Sequence, residues 1–154
     1  MASKGSWSRA DGAAFEAWLG KIGIEHEELD TEKTSALRTR WRKTYAAPLF
    51  DDTGTSLRVD FDFETFSGGT WPSVRGEAAL SAYGSQREVR YFVLPDPRIE
   101  GMPAYRCSSL LLPTFHGDDL IVSALDLSWT MAFTHGDGAD RGGPFFARAD
   151  ALDA

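Results

Sequence analysis

The sequence predicts an α+β fold: two N-terminal helices and a further short helix packed on a mainly antiparallel sheet of five or six strands. Three features predict this fold. Apolar residues recur at helical spacing in the first part of the chain, strand-length apolar or alternating segments follow, and turns rich in glycine or proline separate them. The length of 154 residues suits one domain, residues 1–154.

Two helices are predicted near the N-terminus. The first begins near Asp11, a suitable N-cap, and ends around residues 20–23. The second spans about residues 31–45 and ends before Pro48, since proline cannot continue a helix. In both, apolar residues three or four apart form a stripe that favours packing on a core. They are Phe15, Trp18, Leu19 and Ile22 in the first helix, and Leu37, Trp41 and Tyr45 in the second.

An acidic segment separates these two helices. Its carboxylates belong to Glu25, Glu27, Glu28, Asp30 and Glu32. One interpretation is a solvated connector, and the other is an acidic docking surface that binds a basic partner protein.

Residues 57–64 show the clearest alternation of apolar and charged side chains in the chain. The alternation predicts an antiparallel strand with one face on the core and the other in water. Asp60, Asp62 and Glu64 would share the wet face, with about 7 Å between successive members. Three aligned carboxylates could bind a divalent cation, present a negative stripe to a basic protein, or simply be solvated.

Later elements follow from composition and turn residues. Ser73 is predicted to cap a short third helix that runs to Tyr83, and strands are predicted at residues 89–94, 105–112 and 120–125. The first of these strands is an almost continuous apolar run, which is typical of a central strand covered on both faces.

Cys107 is the only cysteine, so the chain can form no intrachain disulfide. Its apolar surroundings predict a buried structural thiol rather than a nucleophile. The N-terminal residues lack the apolar segment of a signal peptide, and no apolar run approaches the roughly eighteen residues of a membrane span. These features predict a cytoplasmic protein.

Residues 126–146 carry the most information. They predict a strand at 127–134, a glycine-rich turn at 135–143 and a second strand that begins at Pro144. Alternation places Trp129, Met131 and Phe133 on one side, which makes Trp129 a core residue whose indole N–H needs one partner. The other side carries Ser128, Thr130, Ala132 and Thr134.

The pattern W-T-x-x-x-T-H followed by G-P-F-F resembles the C-terminal signature of an uncharacterised family of small bacterial proteins. The residues that carry it are Trp129, Thr130, Thr134, His135, Gly143, Pro144, Phe145 and Phe146. Members usually have Glu after the histidine, where this chain has Gly136. The resemblance implies a small intracellular bacterial protein and brings no activity with it, so the motif is interpreted as mainly structural.

The tripeptide His-Gly-Asp occurs twice, at residues 116–118 and 135–137. If the strands at 120–125 and 127–134 form a hairpin that turns near Asp126, both tripeptides reach the same edge of the sheet. His116, Asp118, His135 and Asp137, with Asp119 and Asp140 nearby, could then bind a divalent metal or supply a base and an orienting acid for hydrolysis. The alternative is ordinary turn chemistry.

The net charge of −7 disfavours nucleic acid and anionic membranes as partners, because both repel an acidic surface. No P-loop, G-x-G-x-x-G, G-x-S-x-G, H-E-x-x-H or C-x-x-C motif is present. Three hypotheses follow. The first is a protein-binding module, for example an immunity or inhibitor protein whose acidic face covers a basic effector. The second is a metal-binding protein or metal-dependent hydrolase, and the third is a regulatory domain that binds a small ligand in an aromatic pocket.

Overall fold

The computed structural model describes residues 12–49, 62–87, 89–95, 102–115, 119–134 and 143–151. Within these residues there are four α-helices and seven β-strands. The helices are α1 (Gly12–Lys21), α2 (Thr31–Tyr45), α3 (Glu64–Ser67) and α4 (Glu77–Gly84), with a short 3₁₀ helix at Ala47–Leu49. The strands are β1 (Glu25–Glu28), β2 (Val74–Arg75), β3 (Arg90–Pro95), β4 (Tyr105–Ser108), β5 (Leu120–Ala124), β6 (Trp129–Phe133) and β7 (Phe145–Arg148).

The described strands form one sheet in the order β1-β4-β3-β5-β6-β7-β2, and every neighbouring pair is antiparallel. The predicted α+β class and antiparallel sheet are therefore confirmed, although the sheet has seven strands rather than five or six. The strands absent from the prediction are β1 and β2. Neither shows apolar alternation, because β1 reads Glu-His-Glu-Glu and β2 is two residues long.

Helices cover both faces of the sheet. On the face called here the α1 face, Phe15 of α1 and Tyr83 of α4 pack in one core with inward side chains of the central strands. On the opposite face, the α2 face, Trp41 of α2 and Phe66 of α3 pack in a second core. The alternation predicted for β6 is confirmed, since Trp129, Met131 and Phe133 belong to the first core and Ala132 to the second. The central, doubly covered position predicted for β3 is confirmed as well.

Two helices match their predicted bounds where these can be compared, and a third begins later than expected. Asp11, the predicted cap of α1, lies outside the described residues. The carboxylate of Asp30 caps α2 by accepting a 2.7 Å hydrogen bond from the Lys33 N–H. In α1 the described helix ends at Lys21, so Ile22 is exposed rather than in the core. Ser73 is not the cap of α4, because β2 intervenes and pairs with β7 before the helix begins at Glu77.

The prediction of a strand at residues 57–64 is wrong for residues 62–64, the part of this range that the structure describes. Residues 50–61, including Asp60, lie outside the described residues. Asp62 and Phe63 form a turn, and α3 begins at Glu64. Asp62 is 1% exposed instead of facing water. An ion pair with α2 holds Asp62 in the interior, and this tertiary contact overrides the local period of two.

The predicted hairpin between β5 and β6 is confirmed, with Ser123 opposite Thr130. The turn contains no glycine. Instead, Leu127 adopts φ 61° and its N–H donates to the Ala124 carbonyl, while the Asp126 carboxylate accepts from the Ser128 N–H at 3.0 Å. The preceding strand, β4, ends at Ser108 rather than residue 112.

Candidate functional site

The acidic segment between α1 and α2 is a strand at one edge of the described sheet. Of the two interpretations of this segment, the connector is wrong because residues 25–28 pair with β4 along their whole length, and the acidic docking surface stays a prediction. On its other side, β1 has no strand neighbour within the described parts of the chain. The side chains of Glu25, Glu27 and Glu28 are exposed.

The hydrogen-bonding register of β1 identifies which backbone groups face outward. The Leu29 N–H donates to the Ala104 carbonyl at 2.9 Å. Antiparallel pairs alternate between hydrogen-bonded and non-hydrogen-bonded positions, so Glu27 bonds to β4 as Leu29 does. His26 and Glu28 therefore direct their backbone N–H and C=O groups away from the sheet.

The two faces of β1 differ in their surroundings. Glu25 and Glu27 lie on the α2 face, where Glu27 is opposite Arg106. His26 and Glu28 lie on the α1 face, where Glu28 is opposite Tyr105. An extended segment added to this edge would meet carboxylates on both of its faces.

On the α1 face, two carboxyl groups lie side by side. The neighbouring Glu16 of α1 raises the pKa of Glu28, chiefly by side-chain hydrogen bonding to its protonated form, with smaller contributions from desolvation and from the Glu16 charge. His26 Nε2 lies 3.7 Å from Glu16 Oε1, and the Tyr105 hydroxyl lies 3.4 Å from Glu16 Oε2. Burial and then the charges of Glu16 and Glu28 raise the pKa of Tyr105. A cation from outside would be stabilised at this carboxyl pair.

The other residues predicted to bind a partner lie elsewhere. Asp62 accepts a 3.0 Å hydrogen bond from Arg42 Nε, and Arg38 Nε lies 3.9 Å away. Burial raises the pKa of Asp62, and the two guanidinium groups oppose that rise. Because Arg38 also donates to the Pro95 carbonyl at 2.6 Å, this cluster ties α2 to the end of β3 and to the start of α3. Asp62 is thus an interior residue, and Glu64 is the half-buried first residue of α3.

The predicted metal ligands His116, Asp118, His135 and Asp137 lie outside the described residues, as does Asp140. The hairpin brings together the start of β5 and the end of β6, the strand ends nearest in sequence to the two tripeptides, since Leu120 is opposite Phe133. Among the residues that are described, no group of three or more His, Cys, Asp or Glu side chains is arranged to hold a metal ion. The metal site at the His-Gly-Asp turns stays a prediction.

The described residues of the C-terminal motif pack in the interior. Trp129 is 2% exposed and stacks on Phe146, but its Nε1 has no hydrogen-bond partner within the described chain. Thr130 accepts a 2.9 Å hydrogen bond from Trp41 Nε1 and shares a 2.7 Å hydrogen bond with Ser123. The hydrogen bond from Trp41 connects α2 to β6 of the sheet.

The remaining described residues of the motif lie at the end of β6 and at the start of β7. Thr134 Oγ1 accepts a 3.4 Å hydrogen bond from the Gly143 N–H, and a cis peptide bond joins Gly143 to Pro144. Phe145 packs against Phe66 of α3.

Cys107 is buried on the α1 face, as predicted, and burial raises the pKa of its thiol to about 12. A thiol of such pKa remains protonated at neutral pH and is a poor nucleophile.

Sequence patterns did not reveal Glu16 and Tyr105 as neighbours of the acidic strand. Glu16 lies beside the apolar stripe of α1, and Tyr105 lies in a strand far along the chain. Only the pairing of β1 with β4 brings them together. The recognisable signal was local: a run of carboxylates of strand length between two helices.

No helix in the described residues is long and apolar enough to cross a membrane. Comparisons with protein-family models, with curated proteins and with solved structures find no match to this chain. The resemblance of the C-terminal motif to a bacterial family therefore stays a prediction.

Proposed function

We propose that this protein is a protein-binding module that accepts a basic, extended segment of a partner along β1. The observation that carries the proposal is an edge strand with an unoccupied outer side, within the described chain, and with carboxylates on both faces. An immunity or inhibitor protein that covers a basic effector is the kind of protein this surface suits.

The backbone of β1 supplies the first part of the recognition. His26 and Glu28 direct their N–H and C=O groups outward, so an incoming strand gains main-chain hydrogen bonds without any rearrangement of the sheet. Such an edge is also a hazard for self-association, and natural proteins protect edges with charged side chains. Repulsion between copies of β1 at the carboxylates would discourage self-pairing and leave the edge available to a basic segment.

Charge supplies the second part. Glu25 and Glu27 lie on one face of the strand, Glu28 lies on the other with Glu16 beside it, and the whole chain has a net charge of −7. This arrangement favours a partner with Lys or Arg on both faces of its strand and accelerates the encounter at low salt. Because the carboxylates are exposed, binding should weaken as salt is raised.

The charge requirement is tested with two variants of equal net charge. One carries Glu25→Gln, Glu27→Gln and Glu28→Gln. The matched control carries Glu32→Gln, Glu77→Gln and Asp150→Asn, which are exposed and lie off β1. Affinity capture from a lysate at low and high salt identifies a candidate partner, and its dissociation constant is then measured. We expect the strand variant to bind at least tenfold more weakly than the control. Equal weakening in both variants would contradict docking on β1.

The backbone requirement is tested at His26. His26→Pro removes the outward N–H, while the inward bonds of its neighbours to β4 remain possible. His26→Ala is the matched control, because it removes the same side chain and keeps the N–H. Circular dichroism and thermal unfolding confirm that both variants are folded. Binding that is lost in the proline variant and kept in the alanine variant supports strand addition, and equal binding in both would refute it.

The location that accompanies this proposal is the cytoplasm. A single buried thiol suits a reducing compartment, since the fold makes no use of a disulfide.

A further inference from the structure

A pocket of about 290 Å³ opens on the α2 face between α2 and strands β1, β4 and β3. Its volume is close to the lower limit for small-molecule sites, roughly 300 Å³. The apolar part of its lining consists mainly of Leu29, Leu37 and Phe92. Leu29 and Leu37 are buried and Phe92 is half-buried, so the Phe92 ring offers an aromatic surface.

Three cationic side chains surround this apolar floor. Lys33 and Arg40 lie seven residues apart and so share one side of α2, and Arg106 projects from β4. All three are exposed. None of their side chains makes an ion pair or hydrogen bond with another described residue, which contrasts with Arg38 and Arg42 on the same helix.

The local charge is opposite in sign to that of the whole protein. The pocket carries three cations and one carboxylate, Glu27, and so has a charge of about +2, whereas the chain has a net charge of −7. Glu27 and Arg106 are opposite each other in register without a direct ion pair in the described structure. A cluster of cations without ion pairs among the described residues, beside a half-buried ring, is suited to an anion with a flat apolar body.

We propose that this pocket binds a small aromatic anion, with the anionic group held by Lys33, Arg40 and Arg106 and the ring stacked on Phe92. The guanidinium groups offer paired donors that match phosphate or carboxylate oxygens. The site shares Glu27 with the docking surface proposed above, but it needs none of the outward backbone groups of β1, so it does not depend on strand addition.

The test is a titration of the isotope-labelled full chain with phenyl phosphate, followed by backbone amide NMR. A ligand this small in a shallow site should bind with a dissociation constant on the order of 1 mM. We expect saturable shifts around Phe92 and Arg106, with inorganic phosphate and phenol each binding at least about fivefold more weakly. Equal binding by inorganic phosphate would overturn the aromatic part of the proposal. Shifts elsewhere, or no saturation up to about 20 mM, would overturn the site.

Two substitutions at exposed positions test the cations without disturbing the core. Arg106→Gln and Lys33→Gln should each weaken phenyl phosphate roughly tenfold, the typical effect of losing one charge-assisted hydrogen bond. The matched controls are Arg90→Gln, in the neighbouring strand β3, and Lys21→Gln, at the end of α1. Each control removes the same charge outside the pocket lining and should change affinity less than twofold. Equal weakening by the controls would show attraction by overall charge and refute a defined site.

Discussion

Replacement of Arg42 by glutamine should destabilise the protein in a pH-dependent way. In the wild type, Asp62 is 1% exposed and accepts a 3.0 Å hydrogen bond from Arg42, whose side chain is itself 15% exposed. Among the described residues, the substitution removes the positive charge nearest to Asp62 and leaves a buried carboxylate. Breaking a buried ion pair in this way typically costs about 3–5 kcal/mol. Because Arg38 Nε remains 3.9 Å away, we expect a loss of about 3 kcal/mol at pH 7.5.

The sign of the pH dependence follows from the pKa of Asp62. Burial raises this pKa in the folded protein, and loss of Arg42 removes the main opposing charge, so the pKa rises further. A group with a raised folded pKa contributes stability that is present below its unfolded pKa and lost as pH rises through its folded pKa. The difference in unfolding free energy between wild type and Arg42→Gln should therefore shrink as the pH falls from 7.5 to 4.5.

Urea unfolding at these two pH values measures the effect, with Arg40→Gln as the matched control. Arg40 is on the same helix and is exposed, so its replacement should change stability by less than about 0.5 kcal/mol. The reasoning fails if the two variants are equally stable at pH 7.5, or if the penalty in Arg42→Gln stays constant with pH. Either result would mean that Asp62 is not an interior charge held by α2.

Three further predictions concern single side chains. In chemical unfolding, Trp41→Phe should lower the free energy of unfolding by about 1 kcal/mol more than Trp129→Phe, because Trp41 donates to Thr130 whereas the Trp129 N–H has no partner in the described residues. Equal losses would contradict a stabilising Trp41–Thr130 hydrogen bond. Cys107, with a pKa of about 12 and 1% exposure, should react with a thiol reagent at pH 8 only as fast as the protein opens, and rapid labelling of the native protein would count against its burial. Binding of a basic peptide should weaken as pH falls through the raised pKa of Glu28, and Glu28→Gln should reduce this pH dependence. If Glu28→Gln leaves the pH dependence of binding unchanged, another group is responsible for it.

The core of the sheet was predictable because its residues repeat a simple pattern. Trp129, Met131 and Phe133 alternate with small or hydroxylated residues, and both sets are buried against helices. The same holds for α2, where apolar spacing and Pro48 predicted the boundaries and the structure adds the Asp30 cap. Where local pattern, capping and burial coincide, sequence reasoning succeeds.

Predictions failed where tertiary contacts decide the structure. The alternation that ends at Glu64 reads as a strand, yet the buried carboxylate of Asp62 is held by arginines from another element. In β1, no apolar residue identifies a strand, and only pairing with β4 makes it one. Of the acidic residues predicted to bind a partner, Glu25, Glu27 and Glu28 lie together on an exposed edge, and Asp62 does not join them.

The docking proposal is tested most directly by amide hydrogen exchange along β1, measured with and without a capped peptide of alternating lysine and valine. In the protein alone, the amides of Glu27 and Leu29 should be protected by β4, and those of His26 and Glu28 should exchange rapidly. With peptide bound, His26 and Glu28 should become protected as well. A peptide that binds at low salt and leaves these two amides unprotected would contradict strand addition at this edge.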